Sequence, residues 1–355
     1  MNPVNIDKLA SQPCFWLRAA GRDSDVVVSS CLSLSRNLEG FSFVGRSSAP
    51  DLVSVIRKVE EAAEQAFQPT GVSVFRMDTL SAEDASLLVE RQLASREFIE
   101  SKCPRVLLVS PSEDFCVMVN GDDHVRMVAT NAGFALRETW SRLSDVDDAL
   151  EERLVYSFDD EFGFLTSCPS TVGTGLRASV TVHIPGLIET NHARKVMRSL
   201  EKLNLAARGR LGESGDNLGD LFEISSQATL GSSEDEIIEM LRGVVASVVG
   251  YERRAREEIL AQDRVGLDDR CSRSLGALSS AREMSFAEAT THLSNVRLGV
   301  HVGLINDVSA SLVDELIVAS QPSHLRRLTQ EEQLADPMIE EDELRALYLR
   351  RKLKE

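Results

Sequence analysis

The chain has 355 residues, 43% of them hydrophobic and 27% charged, with a formal net charge of −17. That length exceeds one ordinary core and predicts two domains or three, while the acidic balance argues against general nucleic-acid binding. No apolar run reaches the ~18 residues of a membrane span and no charged-then-apolar leader opens the sequence, so neither membrane insertion nor secretion is expected. In chain order, residues 53–67 and 81–93 carry helical periodicity, the second segment opened by a Ser81–Asp84 capping pattern. RVLLVS (105–110) and FCVMVN (115–120) predict strands, Asn120-Gly121 a turn, and HVRMVAT a further strand. ALRETWSRLSDVDDALEERL (135–154) is a strongly amphipathic helix. VTVHI and LFEISSQATL supply later strands, with the helical ETNHARKVMRSLEKL between them. A long helix runs from Ser232 toward Gly266, and only helical patterns follow, at 285–300, 307–319 and 329–352. The expected fold class is therefore α+β for residues 1–255, followed by an all-α domain over 256–355.

Six cysteines (Cys14, Cys31, Cys103, Cys116, Cys168, Cys271) are scattered without a CxxC or Cys/His cluster, and the histidines show no metal-ligand spacing. This points to a reducing compartment and away from a protein-held metal. The densest chemistry lies in CPSTVGTGLRASVTVHIP, Cys168 to Pro185. Gly173 and Gly175 permit positive φ and close approach to a ligand, and Arg177 follows at the mouth of a strand, placed to fork onto a phosphate. No Lys-Ser/Thr follows the glycines, so this is not a Walker loop. A Gly-rich turn before a core strand accounts for the glycines but not for the whole segment.

That segment resembles the Cys-Pro-x-x-x-Gly-Thr-x-x-Arg-Ala-Ser stretch of the ATP:guanidino phosphotransferases, the creatine and arginine kinase superfamily, and its Gly-Thr-Gly-Leu-Arg form is most similar to the bacterial protein-arginine kinases. NGDDHVRM (Asn120 to Met127) resembles the family's Asn-Glu-Glu-Asp-His-x-Arg, and RGRLGESGDNLGDLFEIS, from Arg208, resembles its Arg-Gly-x-x-Gly-Glu. Standing alone, the first reads more readily as a solvated acidic hairpin turn, the commoner fate of Asp-Asp near Asn-Gly. The resemblance implies an antiparallel sheet covered by helices, ATP and Mg²⁺ as cofactors, and Asp122 and Glu213 as the carboxylates that hold and deprotonate the guanidinium. It implies a nucleotide site drawn from Ser29, Ser30, Gln92, Arg126, Arg177, Ala178, Ser179, Arg208 and Gly209. It makes Cys168 a candidate reactive thiol, although a buried inert thiol is the commoner case.

The departures matter as much. The family's Ser-Ser-Arg-x-Arg-x-x-Arg-Asn corresponds to SSCLSLSRN, Ser29 to Asn37, so Cys31 and Ser33 replace two phosphate-binding arginines while Arg36 and Asn37 remain. Gln92 stands at a family histidine near the adenine, and Asp122 replaces a catalytic Glu after Gly121. Each lost charged hydrogen bond costs about 1.5–3 kcal/mol, so the pair costs about two to four decades of phosphate affinity. The shorter Asp122 pulls the carboxylate back by about an ångström, worth on the order of a hundredfold in rate. Arg36 and Arg210 are the basic residues that could substitute.

The helical tail matches the layout of protein-arginine kinases, whose Arg-Asp-x-x-Arg-Ala reads phosphoarginine. Here EDELRA keeps Asp342, Arg345 and Ala346 with Glu341 in first place, a match that an amphipathic terminal helix could also produce by chance. The expected function is phosphorylation of protein arginines, which in the family marks proteins for Clp-type proteolysis. Expected partners are protein substrates with exposed arginines, a zinc-finger activator, a Clp-type unfoldase and further copies of the chain as a homodimer or higher homo-oligomer, in the cytoplasm. The alternative is a catalytically impaired pseudokinase that binds phosphoarginine or serves as a scaffold; a kinase of free arginine fits the domain layout less well.

Overall fold

Leucine and serine alternate along Val27–Arg36, and the pleat converts that period of two into β1, the strand around which the sheet is built. The computed structural model describes residues 6–17, 21–211, 217–227, 229–331 and 339–354. Helix α1 (Ile6–Ser11) leads to β1, then α2 (Ala49–Ala66), β2 (Ser73–Arg76), α3 (Ala82–Glu90), α4 (Arg96–Glu100), β3 (Val106–Val109), β4 (Phe115–Val119) and β5 (Val125–Ala132). There follow α5 (Leu136–Glu151), the short pair β6 (Phe158–Asp159) and β7 (Gly163–Phe164), β8 (Leu176–His183), α6 (Pro185–Glu189), α7 (Ala193–Glu201), β9 (Leu205–Gly209) and β10 (Leu221–Ser226). Helices α8 (Glu234–Ser280), α9 (Phe286–His301), α10 (Ala310–Ala319), α11 (Pro322–Glu331) and α12 (Glu341–Lys352) complete the chain. The fold is α+β, an antiparallel sheet flanked by helices with a helical C-terminal region, as expected.

The large sheet runs β2-β3-β4-β5-β1-β8-β10-β9 with every pair antiparallel. Alternation divides its side chains between two faces. One face carries Leu32, Leu34, Val117, Met127, Val180 and Ile224 into a core shared with α2, α5 and the first half of α8. On the other face, Phe75, Leu107, Cys116, Met118 and Val128 join a second core with the N-terminal Leu9 and Trp16 and the C-terminal helices. Toward β1, β8, β10 and β9 that second face becomes polar.

Some boundaries differ from expectation for local reasons. Helix α3 ends at Glu90 because Gln92 adopts a left-handed turn at φ 64°. The 189–203 segment divides into α6 and α7 around Asn191, also left-handed. The 329–352 pattern resolves into α11 and α12, with residues 332–338 outside the described set. Helix α8 runs through the expected 255/256 division and is interrupted at Asp263 (φ −148°, ψ 68°), whose Oδ1 accepts the Gly266 N–H at 2.9 Å, as an N-cap carboxylate would.

A buried polar network joins the C-terminal helices to one end of the sheet. Arg297 of α9 donates to Asp314 of α10 at 2.7 Å, to the Ser24 carbonyl at 2.8 Å and to His183 Nδ1 at 3.1 Å. With Nδ1 accepting, His183 Nε2–H donates to Ser294 Oγ at 2.8 Å, and Ser294 in turn donates to Asp220 at 2.8 Å. Arg256, paired with Glu252 at 2.7 Å, caps the His183 and Asp25 carbonyls.

Candidate active site

Strand register decides which polar residues meet. Cys31 lies opposite Thr130 and Ser179, Ser33 opposite Val128 and Arg177, and Ser35 opposite Arg126. Across β10, Ser225 lies opposite Ser179, and Glu223 lies between Thr181 and Arg208. The period of two therefore puts Cys31, Ser33, Arg126, Arg177, Ser179, Arg208, Glu223 and Ser225 on one face. Arg126 Nη2 donates to Ser33 Oγ at 3.4 Å, and Arg177 Nη2 to Ser225 Oγ at 3.3 Å. Arg210, one residue past β9, pairs with Glu223 at 3.1 Å, while Arg208 is exposed. Guanidinium groups thus approach Cys31 from both sides. Burial and the Glu223 carboxylate push the Cys31 thiol up to about 11 despite Arg210 and Arg126, so it stays neutral at pH 7.

The flanking candidates have distinct settings. Ser179 Oγ donates to the Cys31 carbonyl at 3.3 Å, and the Ala178 N–H to Ser226 Oγ at 3.0 Å, both fixing β8 beside its neighbours. Ser30 turns its hydroxyl to the start of α5, donating to the Gly133 carbonyl at 2.8 Å and accepting the Ala135 N–H at 3.0 Å. Ser29 Oγ is buried without a protein partner among the described residues. Gly209 pairs with Phe222 at the end of β9, and Gln92 is half-buried in the turn after α3. Cys168 is exposed, its Sγ 3.0 Å from Ser170 Oγ. Glu213 lies outside the described residues.

The β4–β5 turn separates its two aspartates. Asn120 takes φ 62°, and its side-chain amide donates to the Leu52 and Pro104 carbonyls at 2.9 and 3.1 Å. Asp122 is left exposed, whereas Asp123 is buried and accepts from Asn37 Nδ2 at 2.7 Å and the Ser167 N–H at 2.6 Å. His124 accepts the Leu38 N–H on Nδ1 and donates from Nε2 to the Ser42 carbonyl at 3.0 Å. This lock, between residues far apart in sequence, gave no sign of itself in the motif.

Arg36 is not a substitute phosphate ligand. It sits on the opposite face, 2% exposed, donating to Asp147 at 2.6 Å and the Thr174 carbonyl at 2.8 Å, with its guanidinium 3.6 Å above the Phe164 ring. The close approach expected of Gly175 is made to this arginine rather than to a ligand. At φ 71°, a Cβ there would lie 2.5 Å from both Arg36 Nη1 and the Ser35 carbonyl.

The C-terminal catalytic domain of the ATP:guanido phosphotransferases matches residues 54–255, and the protein-arginine kinase McsB C-terminal domain matches residues 264–355. The protein-arginine kinase of Halalkalibacterium halodurans is 38% identical over 340 residues, spanning 96% of this chain and 95% of its own. That of Bacillus subtilis is 38% identical over 314 residues, 88% of this chain and 86% of its own. The chain belongs to the protein-arginine kinase family of ATP:guanido phosphotransferases. Among solved structures, lombricine kinase superposes with a TM-score of 0.59 at 20% identity, covering 71% of each chain. The duplicated taurocyamine kinase of Schistosoma mansoni gives 0.59 at 23% identity over 78% of this chain and 41% of its own, and both support the guanidino kinase fold.

In this family member, the tail candidates Asp342 and Arg345 are adjacent but unlike. Asp342 keeps half of its side chain exposed, while Arg345 is fully buried. Arg345 donates to Glu341 at 2.6 Å, Asp342 at 2.5 Å, the Ser320 carbonyl at 2.8 Å and the Met284 carbonyl at 3.0 Å. Every nitrogen of that guanidinium already has a protein acceptor.

Proposed function

We propose that the chain transfers the γ-phosphoryl group of ATP to arginine side chains of other proteins. The observation that carries this reading is that Arg126, on the strand that follows Asp122, shares one sheet face with Arg177, Arg210 and the exposed Arg208. Phosphoryl transfer passes through a loose transition state, so catalysis rests on alignment and on neutralising oxygen charge. Fixed guanidinium donors supply the second. The donor set suits polyphosphate: forked cations on rigid strands, with serine hydroxyls between them. Bound Mg²⁺ would supply charge neutralisation to the nucleotide phosphates; among the described residues no His/Cys/Asp/Glu cluster is placed to hold it. Asp122 and Glu213 would aim the substrate guanidinium and accept its proton, a neutral guanidine being a strong base.

On this reading, residues 1–255 act as the catalytic domain and 256–355 as a helical domain for self-association and, through Asp342, for phosphoarginine. Protein substrates with exposed arginines, a zinc-finger activator and a Clp-type unfoldase are the partners, and the protein works in the cytoplasm. Glu213→Gln abolishes phosphorylation with nucleotide affinity nearly unchanged, whereas Arg177→Ala weakens binding and turnover together. Products are scored at neutral or basic pH because phosphoarginine is acid-labile. A fully active Glu213→Gln removes the catalytic assignment. The neutral Cys31 thiol and Ser33, in place of two arginines, favour a second reading, a non-catalytic phosphoarginine-binding module. Absence of transfer to any arginine-containing protein, with an activator present, selects it.

A further inference from the structure

We propose that Arg210 replaces the two missing motif arginines as a ligand of the nucleotide phosphates, with Glu223 as the partner it leaves when nucleotide arrives. The inference rests on the kinase reading above and assigns this chain's own remedy for its altered motif.

Position comes first. The Arg210 N–H bonds the Leu221 carbonyl, extending the β9–β10 ladder one residue beyond Gly209. Arg210 is therefore in phase with Arg208 and projects from the same face. Its guanidinium reaches Glu223 at 3.1 Å, and both charges act on the Cys31 thiol, the position of the first absent arginine. A cation just past β9 thus stands on the same sheet face as the β1 position that the motif leaves without one.

Availability comes second. Arg36, the other basic candidate, is sealed on the far face by Asp147, Thr174 and Phe164. Arg210 keeps 27% of its side chain exposed, its Nε is buried with no protein partner, and the one ion pair it makes among the described residues is to a carboxylate 26% exposed. Such a half-exposed pair can exchange partners at little cost. A phosphate can accept from two guanidinium nitrogens at once, the unpartnered Nε included, and carries more charge than the carboxylate. Glu223 is then a resting counter-ion that competes with the nucleotide and repels it.

The test is ATP and adenosine affinity by calorimetry on the full chain. Arg210→Ala and Arg210→Gln are expected to weaken ATP binding about 10- to 100-fold, with adenosine unchanged. Glu223→Gln is expected to tighten ATP, and the gain disappears in the Arg210→Ala background. Thermal unfolding without nucleotide identifies a variant that fails to fold, and Glu223→Gln still reports through the sign of its effect. Unchanged ATP affinity in Arg210→Ala, or a Glu223→Gln that weakens ATP, overturns the proposal alone. Absence of ATP binding by the unaltered protein overturns the kinase reading with it.

Discussion

Asp122 and Asp123 are chemically identical neighbours that the β4–β5 turn assigns to solvent and to interior. Asp123→Ala removes the buried carboxylate that accepts from the Asn37 amide and the Ser167 N–H, leaving Asn37 only its bond to the Leu165 carbonyl, and costs about 1–3 kcal/mol, so the melting temperature falls by several degrees. Asp122→Glu leaves the melting temperature unchanged and preserves or raises the transfer rate, because it restores reach toward the nucleophilic nitrogen. A slower Asp122→Glu would remove that role. Cys31→Arg with Ser33→Arg should tighten ATP by roughly 10–1,000-fold, measured directly; no gain would mean that the motif is not the reason for weak binding. At this scale, the resemblance to the family's contiguous motifs pointed to Asp122, Arg126, Arg177 and Arg208 as candidates, since each stands within one such motif. The engagement of Arg36 with Asp147 and of Arg210 with Glu223 was hidden, because it depends on which strands lie side by side and which face each residue takes.

Helices were the most legible elements: α2, α5, α9 and α10 stand close to their periodic segments, and Ser81 caps α3 through Asp84 as its pattern implied. Strand β1 escaped notice although it organises the sheet, since half of its alternation is serine and a single Cys-Leu-Ser-Leu-Ser run resembles a polar loop. Strand β9 is short and ends in Ala-Arg-Gly, with little β propensity of its own; pairing to β10 holds it in place. The loop before β8 depends on one glycine. Gly175→Ala places a methyl against Arg36 and the Ser35 carbonyl at a φ that disfavours any side chain, and should cost about 2 kcal/mol or more in denaturant unfolding. A neutral result would mean that β1 and β8 can separate locally without loss.

Across the whole molecule, the polar network around Arg297 couples stability to acid. Burial, with Arg297 and Arg256, holds His183 well below its usual range and lowers His301 to about 3, opposed at His301 by Asp25. Both imidazoles are thus neutral in the folded protein but protonate near 6.5 when it unfolds. Their contribution is fully present above pH 6.5 and is lost as pH falls toward 3, with a slope up to about 1.4 kcal/mol per pH unit for each linked proton. His301→Gln should flatten that slope in pH-dependent thermal unfolding; an unchanged slope would place the acid sensitivity elsewhere. The same network bears on any attempt to divide the protein. A fragment ending at residue 255 would lose the Arg256 and Arg297 donors, leaving the Ser24, Asp25 and His183 carbonyls and the Asp220 carboxylate to find water, and would bare the apolar side chains that α9 to α12 cover. Two sequence families meet in this chain, yet the cut between them would pass through a shared interior, so the catalytic half expressed by itself should aggregate and the intact polypeptide is the smallest unit on which its chemistry can be measured.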